Sequence, residues 1–138
     1  MIVIDGTDLI LGRLASSIAK KLLTGEQISL INADKIRIIG RTQNIVDKYL
    51  QKRRLQNKGT PENSPHYPRV PHLFVKRVIR GMVPWKKSKG RAAMKRLMVY
   101  AGNPKDLKGH ISIEEIKADD KKMTVTIGEV CKRLGYNN

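Results

Sequence analysis

The first forty residues alternate between apolar runs and turn residues in a pattern that predicts a strand, a helix and a second strand. The run 2–4 is short, apolar and β-branched, as buried strands are. Apolar residues then recur at helical spacing from Leu11 to Leu22, and Gly25 supplies a helix stop. Residues 28–31 are a second apolar run. A strand, a helix and a strand over about thirty residues predict a βαβ unit with parallel strands and a right-handed crossover.

The pattern after this unit predicts a single α/β domain over residues 1–138. Residues 57–72 contain four prolines, which predict an extended loop because proline cannot take part in regular ladders. The other predicted elements are, in chain order, a third strand over 36–39, a helix over 44–55, a helix over 73–82, a short helix that begins after Gly90 and carries Ala93, Met94 and Leu97, a strand over 123–127, and a helical turn or two through Val130, Cys131 and Leu134.

The turn after the first strand suggests a nucleotide site, because a helix N-terminus after a parallel strand can bind phosphate. Its glycines, Gly6 and Gly12, match neither the dinucleotide-binding nor the P-loop spacing. Asp5 and Asp8 would also repel a phosphate. We therefore favour a structural turn in which Thr7 or Asp8 caps the helix and Gly12 lets the helix approach the sheet. An enzyme acting on nucleotides or RNA through this turn is the alternative.

Charge changes this picture of an ordinary α/β domain. The formal net charge is +16, and the interval from Asn63 to Lys105 holds eleven Lys and Arg residues and no Asp or Glu. The two ends of the chain are much closer to neutral. A surface of one sign repels itself unless a partner of opposite sign covers it, which points to a polyanion such as nucleic acid. Aromatic residues make up only 4% of the chain, so we expect phosphate contacts, not base stacking, to carry the binding.

Other kinds of chemistry have little support in the sequence. Cys131 is the only cysteine, so it cannot form an intrachain disulfide. His66, His72 and His110 are not spaced as metal ligands, and acidic residues are sparse beside the basic segment. We expect no catalytic residues, no metal and no cofactor. The N-terminus lacks a signal sequence, and no apolar run is long enough to span a membrane, so we expect a cytoplasmic protein without a membrane partner.

Two features of the sequence allow more than one interpretation. Trp85 either packs against its own domain or contacts nucleic acid. Residues 126–136 resemble the opening helix of a helix-turn-helix, but the chain ends before a recognition helix, so DNA binding is the weaker alternative.

Three blocks of sequence, in order, resemble the ribosomal protein L-thirteen family of the large subunit. The first covers 3–6 and 11–16, the second 31–35 followed by Gly40, and the most specific covers 80–84, 90–93 and 97–104. The segment around 49–54 and the loop through 67–69 are similar to the archaeal and eukaryotic branch, and the compact length favours an archaeal member. Trp85 with the two lysines after it departs from the family pattern.

The resemblance implies a three-layer α/β/α fold around a parallel sheet of about four strands. It also implies a non-catalytic protein that binds large-subunit (23S-type) rRNA, supports early subunit assembly and contacts neighbouring ribosomal proteins such as the L-three family member. The charge pattern predicts that a basic segment at about 48–105 contacts the RNA. The expected RNA-binding residues are Lys52, Arg53, Arg54, Lys58, Arg69, Lys76, Arg77, Arg80, Lys86, Lys87, Lys89, Arg91, Lys95 and Arg96.

Overall fold

The computed structural model describes residues 1–104, 107 and 123–137. Its helices and strands are, in chain order, β1 (Ile2–Asp5), α1 (Leu11–Thr24), β2 (Ile28–Ile31), β3 (Arg37–Ile39), α2 (Thr42–Arg54), α3 (Pro71–Met82), α4 (Ser88–Lys95), β4 (Leu97–Val99), β5 (Thr124–Thr126) and α5 (Ile127–Arg133). Short 3₁₀ turns occupy Ala33–Lys35 and Pro61–Asn63.

The predicted βαβ unit and the α/β class are confirmed. β1 and β2 pair in parallel, with Ile2 opposite Ile28, and α1 connects them. Helix α1 ends where the glycine stop was expected, because Gly25 adopts the left-handed conformation at φ 106° and its amide bonds back into the last turn. The apolar stripe of α1 is buried from Leu11 to Leu22.

The parallel sheet has three described strands where about four were expected. Its order is β1-β2-β4, with Ile28 of β2 opposite Leu97 of β4. Strand β4 was missed, because it is only three residues long and Leu97 continues the apolar spacing of the preceding helix. The expected third strand does form as β3, but it pairs antiparallel with β5 in a separate two-stranded sheet.

The sheet is buried on both faces around β2. Ile4 and Leu30 belong to a core cluster that also contains residues of α1, α3 and α4. Val3, Ser29 and Ile31 point to the opposite face and are buried as well. Burial on both faces is the environment of a middle layer, as the expected three-layer arrangement requires. A smaller apolar cluster joins α2, β5 and α5.

Three local expectations were wrong. The residue that caps α1 is Ile10, without a side-chain hydrogen bond, so neither Thr7 nor Asp8 caps it. A Cβ on Gly12 would have no atom within 4 Å, whereas one on Gly6 would lie 2.7 Å from Cγ1 of Ile36. The glycine at which the backbone closely approaches another part of the chain is therefore Gly6, not Gly12. Gly90 lies inside α4 and does not precede it.

Candidate nucleic-acid interface

The predicted RNA-binding residues all lie in one connection of the fold. This connection, which we term the basic crossover, runs from residue 32, after β2, to residue 96, before β4. It contains α2, the proline-rich loop, α3 and α4. Because β2 and β4 are neighbours in the sheet, the crossover leaves and re-enters the core at adjacent strands, and both of its ends are fixed by the core.

Helices α3 and α4 face each other across an open groove of about 600 Å³. On α3, Lys76, Arg77 and Arg80 follow helical spacing along one face, so their side chains line the same wall. Arg91 and Lys95 of α4 line the other. We term this the α3–α4 groove, and its lining residues are Pro68, Leu73, Lys76, Arg77, Arg80, Trp85, Arg91, Met94, Lys95, Leu97 and Met98. Five of them are cations and none is acidic.

A stack around Tyr67 joins the end of α2 to α3. The Arg77 guanidinium carbon lies 4.0 Å from the Tyr67 ring centroid, and Lys52 Nζ lies 5.5 Å from it. Lys52 Nζ is also 5.3 Å from the ring of Tyr49, which packs edge-on against Phe74 at 4.6 Å between centroids. Burial raises the pKa of Tyr49 above its usual range, and Tyr67 adds to the shift. Cation–π contacts therefore hold two basic residues from separate helices beside each other.

The turn between α3 and α4 presents the next group of cations. Lys86 and Lys87 are exposed, and the Lys87 amide donates to the Pro84 carbonyl over 3.0 Å. Lys89 and Arg91 lie on the first turn of α4, where both are exposed.

Trp85 occupies the same turn. It is 45% exposed, and the Arg80 guanidinium carbon lies 4.8 Å from its ring centroid. Trp85 is therefore partly packed against its own domain, and its contact with nucleic acid stays a prediction for the exposed part of the side chain.

Nine of the fourteen predicted residues do not line the groove: besides Lys52, Lys86, Lys87 and Lys89, described above, they are Arg53, Arg54, Lys58, Arg69 and Arg96. Arg69 reaches towards the C-terminal helix, where Nη1 lies 3.5 Å from the Gly135 carbonyl oxygen. Arg96 Nη1 lies 3.5 Å from the carbonyl oxygen of Leu22, near the end of α1. Arg54 and Lys58 are exposed at the end of α2 and in the loop after it.

Arg53 differs from its neighbours in α2. Its Nη1 atom is buried, and no hydrogen-bond partner is found for it in the structure. A buried guanidinium nitrogen without a partner is costly, so this side chain gains from any anion or water that reaches it.

Sequence reasoning missed the apolar part of the groove. Leu73 and Met98 are 44% and 54% exposed although both are large apolar residues. One signal was available, because Leu73 stands four positions before Arg77 on α3 and so shares its helix face. Met98 gave no such signal, since β4 itself was not predicted.

Neither of the two ion pairs that the structure gives involves a predicted RNA-binding residue. Arg37 pairs with Asp8 at 2.7 Å, and Arg133 pairs with Glu129 at 3.3 Å. Both pairs lie outside the predicted set. A row of cations without acidic neighbours keeps its full field for an incoming anion.

The turn after β1 is taken up by contacts within the chain. Asp5 Oδ1 accepts hydrogen bonds from the amide and hydroxyl of Thr7, and from Asn32 Nδ2 at 2.9 Å. The Gly6 amide donates to the Ile31 carbonyl oxygen. This carboxylate-filled turn gives the nucleotide-binding alternative no support.

The other minor hypotheses find no support either. Ile127, Val130 and Cys131 of α5 are buried in the domain, so that helix serves the core. Among the described residues, no group of three or more His, Cys, Asp or Glu side chains could hold a metal ion. His110 lies outside them. No helix in the described part of the chain has the length and apolar character to cross a membrane.

Comparison with known proteins agrees with this geometry. A sequence model of the family described as Ribosomal protein L13 matches residues 1–106. The Large ribosomal subunit protein uL13 of Methanopyrus kandleri is 43% identical over 140 residues, covering 97% of this chain and 86% of its own. Its namesake in Methanosphaera stadtmanae is 44% identical, covering 96% of both chains. That of Picrophilus torridus is 45% identical, covering 98% of this chain and 97% of its own. The chain therefore belongs to the ribosomal protein L13 family and is of the archaeal type.

Proposed function

We propose that this chain is a structural, non-catalytic component of the large ribosomal subunit, acting in the cytoplasm as a single domain over residues 1–138. We propose further that it binds large-subunit rRNA through the basic crossover and supports early subunit assembly. Family membership supports the ribosomal role. The observation that carries the RNA-binding role is the α3–α4 groove, where five cations and no acid line a surface anchored to the core at both ends.

The mechanism is electrostatic. Folded RNA brings phosphates from distant strands together, and their mutual repulsion opposes compaction. Fixed cations on α3, α4 and the turn between them offset that repulsion and release the counterions that would otherwise be bound. Because Arg77 and Arg80 already lie over aromatic rings, less side-chain freedom is lost when they contact phosphate. A rigid cationic surface of this kind stabilises a compact assembly intermediate.

The dependence of binding on salt tests this mechanism. If the basic crossover neutralises on the order of six to ten phosphates, affinity for a large-subunit rRNA fragment falls by roughly 10³–10⁵ between 50 and 200 mM salt. Filter binding or fluorescence anisotropy at several salt concentrations gives the slope. A flat response would reject phosphate contact as the source of affinity.

A pair of charge-matched variants tests whether the surface or only the net charge matters. In the first, Lys86, Lys87, Lys89 and Arg91 are changed to Gln. In the control, the same number of exposed cations outside the basic crossover, Arg13, Lys20, Lys132 and Arg133, are changed to Gln. We expect the first variant to bind rRNA at least tenfold more weakly than the control, with thermal stability nearly unchanged in both because exposed charges contribute little to folding. Equal losses would show that overall charge, not this surface, drives binding.

The proposal also predicts which particles the protein associates with. It should co-sediment with large ribosomal subunits and resist a moderate salt wash. Neighbouring large-subunit proteins, such as the L-three family member, are the protein partners that we propose, and cross-linking within the purified subunit tests them. Recovery only in the ribosome-free fraction would contradict the ribosomal role.

A further inference from the structure

The α3–α4 groove has an apolar floor that phosphates alone leave uncovered. Leu73 and Trp85 are each nearly half exposed, and Met98 is more than half exposed. Met94 and Pro68 complete the apolar part of the lining. A duplex presents chiefly phosphates to a protein surface, and a charged phosphate cannot replace water over apolar side chains favourably. A flat and largely apolar group covers such a surface better.

We propose that the groove receives an unpaired nucleobase of the bound RNA, an inference that rests on the RNA-binding function proposed above. Its volume of about 600 Å³ suits a small-molecule-sized group. The base would lie against the apolar floor, and the phosphates on either side of it would meet the cationic walls. The groove is thus a site for an extruded or single-stranded nucleotide, not for regular duplex.

Charge complementarity selects the occupant. Lys76 and Arg77 of α3 and Arg91 and Lys95 of α4 line the groove together with the apolar residues, and no carboxylate is in the lining. A nucleotide strand has an anion on each side of every base, which matches cations on both walls. All of the lining residues come from the interval between Asn63 and Lys105, which has no acidic residue.

Trp85 provides the stacking surface. The Arg80 guanidinium carbon lies 4.8 Å from the ring centroid, and Trp85 lines the groove and is 45% exposed. Bases stack on exposed aromatic rings whatever their identity, because every base has a π face. The scarcity of aromatic residues made stacking unexpected from composition, yet the single tryptophan of the chain stands at the point where it can act.

Because Trp85 is the only tryptophan, its fluorescence reports directly on the groove. The full-length protein is titrated with a short oligoadenylate and with an abasic oligomer of equal phosphate number. Anisotropy of a label on each oligomer gives affinity, and tryptophan emission gives stacking. We expect the base-containing oligomer to bind about five- to 150-fold more tightly and to quench Trp85, whereas the abasic oligomer leaves emission nearly unchanged.

Variants test the floor independently. Leu73→Ser and Met98→Ser should each reduce the preference for the base-containing oligomer without changing the affinity for the abasic one. Leu55→Ser is the matched control, because Leu55 is 57% exposed and is not part of the groove. Circular dichroism establishes that each variant is folded, and the comparison of the two oligomers on the unchanged protein needs no variant.

The possible outcomes distinguish this inference from the RNA-binding function on which it rests. Equal affinity for both oligomers with unquenched Trp85 overturns the base site, while salt-dependent rRNA binding would leave the proposed function standing. Failure to bind the rRNA fragment and both oligomers removes the function and the inference together. If an acidic amphipathic peptide quenched Trp85 and displaced the oligoadenylate at matched charge, the groove would be a protein-docking site and the base site would be wrong.

Discussion

The contact between Gly90 and the turn before α4 makes a sharp prediction about stability. Replacing a helical glycine by alanine ordinarily stabilises a helix by about 1 kcal/mol. Gly90 lies inside α4, and its φ is not positive, so backbone conformation alone would favour alanine there. The close packing of Gly90 against the preceding turn nevertheless disfavours alanine. A Cβ on Gly90 would lie 2.1 Å from the Pro84 carbonyl oxygen, 2.4 Å from its carbonyl carbon and 2.7 Å from the Trp85 nitrogen.

All three atoms belong to the backbone, so no side-chain rotation can relieve the overlap. A carbon and a carbonyl oxygen approach to roughly 3.3 Å at closest, so α4 and the turn must separate by about 1.2 Å. Overpacking of this kind costs about 1–3 kcal/mol or more, which exceeds the gain in helix propensity. After the gain in helix propensity is subtracted, we expect Gly90→Ala to destabilise the protein by up to about 2 kcal/mol in urea unfolding.

Gly81→Ala is the matched control. Gly81 lies in α3, and a Cβ there would have no atom within 4 Å, so we expect a stabilisation of up to about 1 kcal/mol. Opposite signs for the two substitutions are the expected result. If Gly90→Ala were as stabilising as Gly81→Ala, the close packing of α4 on Pro84 would be refuted, and with it the fixed position of the turn that carries Lys86 and Lys87.

Three further predictions concern the core and its caps. Ile18→Asp should abolish folding, as seen by circular dichroism, because Ile18 is fully buried and a carboxylate there would be unpaired. Thr126→Ala should cost about 1 kcal/mol in urea unfolding, since the Thr126 hydroxyl accepts from the Glu129 amide at the start of α5; no loss would contradict that cap. Burial raises the pKa of the Cys131 thiol from 9.0 to about 12. At pH 8 the native thiol should therefore resist alkylation. Between pH 9 and 12 only the unfolded chain loses the proton of the Cys131 thiol, so the free energy of unfolding falls as pH rises. Cys131→Ala should reduce this dependence of stability on pH. Rapid native alkylation would contradict the burial.

The local pattern predicted the N-terminal half of the core closely. β1, α1 and β2 came from short β-branched runs, an apolar stripe and the glycine at 25, all of which act within a few residues of each other. Pairing could not be predicted in the same way. Whether β3 joins the parallel sheet or pairs with β5 depends on contacts between residues more than eighty positions apart, such as Ile38 with Val125.

The candidate site was predicted through charge and missed where it depends on packing. The absence of acids between Asn63 and Lys105 pointed to the basic crossover before any helix was placed. The position of Tyr67 between Lys52 and Arg77 requires the end of α2 and the middle of α3 to meet, which no local signal encodes. The same holds for the apolar part of the groove lining, because Met98 reaches it only through the pairing of β4 with β2.

Parallel pairing of Ile28 with Leu97 has a consequence for how the chain folds. The central sheet cannot close until the intervening chain has been looped back, and loops of that length make closure entropically unfavourable and folding slow. Here the loop also carries like charges that must be drawn together, which adds repulsion to the barrier. Anions that bind the loop lower that barrier, so a nascent chain completes its sheet fastest in their presence. Under the proposed function, protein and RNA would thus each promote the folding of the other.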